Sequence, residues 1–214
     1  MNRPFLPCHL LLTLYFLLFT ASPVLQAESP TNVLDAFLDN LQTYSAAFEQ
    51  QLLDENGVEL EKSVGVFYMR RPGMFHWAYI EPYSQIIISD SLSMWIYEED
   101  LEQVIIRDIS DQIESSPAAI LGGDVAIDDY YIVVDSGEMD NMHWMELIPR
   151  DIESQYDSIQ LGFREGEIYK MRLHDNLDQV NVITFLDSKR NPVLNLELFS
   201  FVPPEGTDII DNRL

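Results

Sequence analysis

Cysteine is almost missing from this chain of 214 residues: Cys8, close to the beginning, is the only one. A lone cysteine excludes an internal disulfide framework. Basic residues are also scarce, with 12 Lys and Arg against 36 Asp and Glu and a formal charge of −24. That shortage excludes nucleic acid as a partner, because binding it depends on neutralising phosphates, and an anionic membrane surface would repel such a chain. Catalytic signatures are lacking too. There is no nucleophile elbow, no phosphate-binding glycine loop and no cysteine pair. Past residue 27, the histidines His76, His143 and His174 each lie inside a strand-like run, without a partner at metal-ligand spacing. Acidic groups such as 98–100 and 128–129 fall in predicted turns and read as solvated charge rather than as a general acid and base. These absences point to binding rather than reaction, with no enzyme activity, no metal and no cofactor.

The first residues have the features of a secretory signal: Arg3 at the front, an apolar run over 10–19 broken by Thr13 alone, and a small residue, Ala27, at a cleavage position. The apolar run is too short for a comfortable membrane span, so no stable membrane insertion is expected. Cleavage after Ala27 would leave 28–214 as one domain with a single core. It would remove Arg3 and no acidic residue, moving the formal charge from −24 to −25. Such acidity favours solubility, salty surroundings included, or steers the chain toward a basic partner. Cys8 precedes the apolar run, whereas a lipid-attachment cysteine would directly follow it.

The most informative stretch is 64–104, centred on Arg70-Arg71-Pro72-Gly73-Met74-Phe75-His76-Trp77. Apolar runs at 64–69 and 74–80 flank the Pro72-Gly73 turn, so the spacing predicts a β-hairpin. Both registers of both strands are apolar. Val64, Val66 and Tyr68 alternate with Gly65, Phe67 and Met69, and Phe75, Trp77 and Tyr79 alternate with Met74, Ala78 and Ile80. A strand with one wet face alternates apolar and polar residues, so these strands are expected to have something greasy on each side. Either a sandwich interior or a sheet lining a cavity satisfies that.

The remaining chain reads as a run of short strands with a few helices. Val33, Leu34, Phe37, Leu38 and Leu41 recur at helical spacing over 31–41. Strands are predicted at 44–53, 85–89, 94–97, 101–107, 130–135, 143–148, 158–163, 168–174, 180–186 and 193–201, separated by acidic or glycine-containing turns. Residues 115–123, with Pro117 early and glycines at the end, predict a short helix, and 124–129 another short turn. The regularity favours one continuous antiparallel sheet.

At this point the residues resemble a known family, the periplasmic outer-membrane lipoprotein carrier LolA. The resemblance is carried by Ala47-Phe48-Glu49-Gln50, by Gly65, Arg71-Pro72 and Phe75-His76-Trp77, and by Pro82, Ser89-Asp90, Trp95-Ile96-Tyr97 and Leu101-Glu102-Gln103-Val104. It ends on Phe199-Ser200-Phe201-Val202-Pro203-Pro204-Glu205-Gly206-Thr207-Asp208. Two positions depart from the family pattern: Gly73 where asparagine is usual, and Ser91 where glycine is usual.

The resemblance implies a mainly β fold with short helices, a curved, incompletely closed antiparallel β-barrel or half-barrel with an α-helical lid over a hydrophobic cavity. It implies a monomeric periplasmic chaperone that takes the acyl chains of lipoproteins from an inner-membrane ATP-driven exporter of the ABC type and delivers them to an outer-membrane acceptor. The acyl-chain cavity would use Phe48, Phe67, Met69, Met74, Phe75, Trp77, Ile86, Ile88 and Trp95. Arg71 would be the lid switch, bonding to backbone near Leu38 and near Leu121 and Gly122. Phe75 would also make the partner contact. An alternative is a sensor or adaptor with the same half-barrel, signalling mislocalised lipoprotein through protein contacts. The carrier is favoured because the chain ends soon after Pro203-Pro204. The outer-membrane acceptor itself is disfavoured, since it would need a lipidated cysteine after the signal.

Overall fold

The computed structural model describes residues 32–109, 117–122 and 127–213. β1 (Thr43–Leu53) is the middle of the architecture, because its two edges are taken by strands far apart in sequence. On one side β2 (Glu59–Arg70), β3 (Met74–Glu81), β4 (Gln85–Asp90), β5 (Ser93–Glu98) and β6 (Gln103–Asp108) follow as an antiparallel meander. On the other side lie β11 (Val180–Arg190), β10 (Glu167–Asp175), β9 (Tyr156–Arg164), β8 (Met142–Pro149) and β7 (Tyr131–Met139). β12 (Asp208–Asp211) pairs in parallel with β6, completing a 12-stranded sheet that is curved and not closed into a barrel. The expected single continuous sheet and half-barrel are therefore present, with one parallel edge strand.

Among the described residues, three α-helices accompany the sheet: α1 (Asn32–Leu38), α2 (Pro117–Gly122) and α3 (Ile127–Tyr130). α1 stops short of the expected 41, because Asn40 takes a left-handed backbone (φ 56°). Leu41 is nevertheless buried with Leu34 and Phe37. The expected signal over 1–27, and residues 115–116 and 123–126 of the expected helix and turn, lie outside the described residues.

The main departure from the sequence reading is 193–201, which is not a strand. β1 and β10 already occupy the two edges of β11, and Pro192 has no N–H to donate. The segment instead carries a 3-10 turn, Leu196–Phe199, whose first turn is capped by the Asn195 side chain accepting from Glu197 N–H at 3.2 Å. It crosses the convex face over β3 and β4 before β12 begins.

That crossing accounts for the two-sided greasiness of the central strands. One face belongs to the main core and the other is covered by this strap. His76 fastens the strap, with Nδ1 2.8 Å from Leu198 O, while Phe199 is buried and the Phe201 ring lies 5.3 Å from that of Tyr97. The two departures from the family pattern sit in left-handed turns, at Gly73 (φ 68°) and Ser91 (φ 83°). The Ser91 N–H is met by Ser89 Oγ at 3.2 Å.

Candidate lidded cavity

Directly paired residues of an antiparallel sheet point to the same face, so the register sorts the side chains without ambiguity. Nearest the lid, Tyr44, Met69, Phe75, Ser89 and Met94 form one row of the concave face. Below it come Phe67, Trp77, Ile87 and Ile96, and below those Phe48, Gly65, Tyr79, Gln85 and Glu98. The wall thus grades from apolar under the lid to polar at the far end.

Aromatic rings give the wall its substance. Trp77 stands 4.6 Å from Phe48 and 4.9 Å from Phe67, ring centre to ring centre, and Tyr44 is 6.4 Å from Phe67. Phe37 of α1 meets Tyr44 edge-on at 5.8 Å, so the rings are continuous with the lid. Gly65 is required by this packing: a Cβ there would lie 2.1 Å from Ala78 O and 2.5 Å from the Phe48 ring.

A polar band closes the far end of the wall. Tyr79 donates to Gln50 Oε1 at 3.0 Å, and Gln50 Nε2 donates to Asn181 Oδ1 at 3.0 Å. Burial pushes the Tyr79 phenol up to about 12, and does the same to Tyr44. Outside the band lies an open cleft of about 470 Å³, lined by Glu61, Ser63, Tyr83 and Glu98 among others.

At the lid end, Ala118, Ile120 and Leu121 of α2 are buried against the core. Polar contacts hold α2 to the β2–β3 turn. Arg71 Nη2 donates to Leu121 O at 3.2 Å, and Gly73 N–H donates to Gly122 O at 2.9 Å. Arg71, Leu121 and Gly122 of the expected switch are therefore brought together. The Leu38 carbonyl accepts from Leu41 N–H at 3.2 Å, and the neighbouring α1 carbonyls are met by Arg190. The 189–192 stretch reads as a turn in sequence, and nothing in its pattern reveals that Arg190 reaches α1.

Of the nine residues expected to line the cavity, Phe48, Phe67, Met69, Phe75 and Trp77 face the concave side and are at most 3% exposed. Met74, Ile86, Ile88 and Trp95 do not. Met74 pairs with Asp90, Ile86 with Ala78, Ile88 with His76, and Trp95 with Ile88, all on the convex face. The reason is parity: an alternating strand sends each neighbour of an inward residue outward, however apolar it is. Phe75, expected in partner contact, is 1% exposed, so reaching a partner requires the lid to move.

An open half-barrel with a greasy concave wall and a helical lid defines a class of carrier-like folds, and comparison with known proteins assigns the family. Residues 39–202 match the family model for the outer membrane lipoprotein carrier protein LolA. The chain is 38% identical over 198 residues to the outer-membrane lipoprotein carrier protein of Nitrosospira multiformis, covering 92% of this chain and 94% of that protein. It is 36% identical over 189 residues to the protein of the same name from Methylococcus capsulatus, covering 88% and 91%. This chain belongs to the LolA family. Among solved structures, an uncharacterized conserved protein from Thermus thermophilus shares the fold, with a TM-score of 0.53 and 13% identity over 85% of this chain and 98% of that one.

Proposed function

We propose that this chain is a periplasmic lipoprotein carrier without catalytic turnover, exported with residues 1–27 as its signal. It would receive lipoprotein acyl chains from an inner-membrane ATP-driven exporter and pass them to an outer-membrane acceptor. The observation that carries the reading is the aromatic concave wall, shut from water under a helix held by the Arg71 to Leu121 bond. Family membership supplies the cargo.

The energetics require such a wall. At roughly 0.8 kcal/mol per methylene, a chain of about sixteen carbons would cost on the order of 12 kcal/mol to leave bare in water. A carrier must repay most of that and still let go. Phe48, Phe67, Phe75 and Trp77 offer broad apolar contact, and Met69 adapts to an irregular ligand. In the closed arrangement these side chains occupy the interior themselves, so entry of a chain displaces α2. A charged hydrogen bond such as Arg71 to Leu121 contributes about 1.5–3 kcal/mol, enough to favour closure and weak enough to yield to a ligand.

The test uses purified 28–214 with inner-membrane vesicles carrying lipoprotein, the matching exporter and ATP. A soluble one-to-one complex that later delivers its cargo to acceptor-bearing membranes is expected. Absence of any soluble complex with an active exporter would overturn the carrier reading. Arg71→Leu should lose release or delivery, and wild-type transfer by that variant would remove Arg71 from the mechanism.

A further inference from the structure

The two ends of the sheet differ in charge. Basic side chains gather at the lid end, because β2, β6, β9 and β11 all finish there and bring Arg70, Arg71, Arg107, Arg164, Lys189 and Arg190 with them. At the far end, among the described residues, Lys62 is turned to the convex face with Nζ 3.0 Å from Glu49, and Arg150 Nε donates to Asp128 O at 2.9 Å. Neither lines the open cleft outside the polar band, whose walls include Glu61, Glu98 and Asp100 and no basic residue.

The floor of that cleft is satisfied internally, and its rim is not. Tyr79, Gln50 and Asn181 bond to one another, Ser63 Oγ donates to Glu61 Oε1 at 3.2 Å, and Gln85 Nε2 donates to Glu98 Oε1 at 3.3 Å. These donors are neutral, so they leave the carboxylate charge uncompensated. Two large apolar side chains line the same cleft, Tyr83 at 68% exposed and Leu101 at 64%. A single exposed apolar residue is ordinary, but two of them on one concave wall beside three carboxylates make a composite surface. Exposed ion pairs contribute little by themselves. An apolar anchor inside a polar rim is what gives a protein contact its strength.

The geometry points to this cleft as a docking site for a basic segment of a partner protein, one that presents Lys or Arg side chains around an apolar side chain. The apolar group lies against Tyr83 and Leu101, and the cations meet Glu61, Glu98 and Asp100. Charge complementarity selects that occupant. An acidic peptide or an anionic headgroup is repelled, and a bare polycation leaves Tyr83 and Leu101 uncovered. A cleft with low-dielectric walls also focuses the field of its carboxylates, which speeds encounter with a cationic surface. Docking here leaves the lid end free, since the cleft lies beyond the polar band that closes the concave wall.

The test titrates residues 28–214, without cargo or exporter, at about 0.15 M salt. The probe is an octapeptide of Lys and Gly with one central Trp, followed by amide shifts in NMR and by calorimetry. Shifts confined to 61–63, 81–85 and 98–101 are expected. Tyr83→Ala should weaken binding by about tenfold, and so should Glu61→Gln combined with Asp100→Asn. Leu101→Ala checks the apolar half a second time. All four positions are exposed, so the variants should keep the wild-type thermal midpoint. Asp151→Asn combined with Asp157→Asn removes as much charge from the same end of the sheet, between β8 and β9, and should change affinity by less than about twofold. Replacing the Trp of the peptide with Gly should weaken binding by about tenfold. Four results would overturn the inference: no binding of the Trp peptide, shifts spread over the whole far end, equal weakening by the two carboxylate pairs, or full affinity in folded Tyr83→Ala or for the peptide without Trp. None of these measurements reads lipoprotein transfer, so the carrier reading is tested separately.

Discussion

Beneath α2, on the concave side of β2 to β5, lie Phe67, Met69, Phe75 and Trp77; behind them, on the convex side, lie Ile86, Ile88 and Trp95 with Phe199 of the strap. The two faces are similar in composition and differ in how they are covered. The strap continues directly from β11 at one end. At the other it is fixed by β12 pairing with β6, with Asp208 N–H on Glu102 O at 2.8 Å and Asn212 N–H on Ile106 O at 2.9 Å. α2, being a helix, joins no strand ladder; its buried side chains and the Arg71 and Gly73 bonds hold it against the sheet. An apolar face under a strap tied into the sheet at both ends is a second core, whereas the face under α2 is covered by a separate short helix. Burial alone does not distinguish them, but the attachment of the cover does.

The comparison breaks most visibly at Phe199. Replacing it with alanine should cost about 3–5 kcal/mol in urea denaturation, as for other buried aromatics, while the folded protein still binds an acyl-chain probe in the wild-type ratio. Loss of probe binding in folded Phe199→Ala would mean that the convex face shares the ligand site. A smaller effect is expected on the other side of the sheet from Gly65→Ala. The added Cβ has nowhere to go between Ala78 O and the Phe48 ring, so stability should fall by about 1–3 kcal/mol and the Phe48–Trp77 packing should shift, visible as altered tryptophan fluorescence. Unchanged stability would show that the concave wall is slacker than its packing implies.

The smallest expected effect is alkaline and sharpens the assignment of dryness to the concave face. Burial raises Tyr44 and Tyr79 from 10.0 to about 12. Below pH 10 both phenols keep their protons in the folded and unfolded chains, and their contribution to stability is fully present. Between pH 10 and 12 the unfolded chain releases protons that the folded chain retains, so stability falls with rising pH, by up to roughly 1.4 kcal/mol per pH unit for each phenol. Denaturation midpoints across this range should fall less steeply in Tyr79→Phe. An equal slope in that variant would place Tyr79 in contact with water.

Much of this was readable beforehand. The Pro72-Gly73 hairpin, the acidic turns of the meander and the greasy stripe of α1 all follow from local pattern, and each element appears close to where the residues predict it. The strand expected at 193–201 does not, because whether an apolar run pairs depends on whether a sheet edge is vacant there. The cavity wall was half legible: Phe67 and Met69 share a register, as do Phe75 and Trp77, but an all-isoleucine run such as 86–88 carries no sign of which member faces inward. Arg190 was invisible as a lid residue, since Phe37, whose carbonyl it holds, lies 153 positions away.

The sequence by itself determined that this chain builds an antiparallel sheet with apolar residues on both sides of β2 to β5, because alternation and turn chemistry are encoded within a few neighbouring residues. Only the tertiary structure decided which of those two greasy faces is a sealed core and which lies under a lid. That distinction rests on where residues 117–122 and 191–207 come to lie, and on the hydrogen bonds at their ends, which join parts of the chain that no local pattern connects.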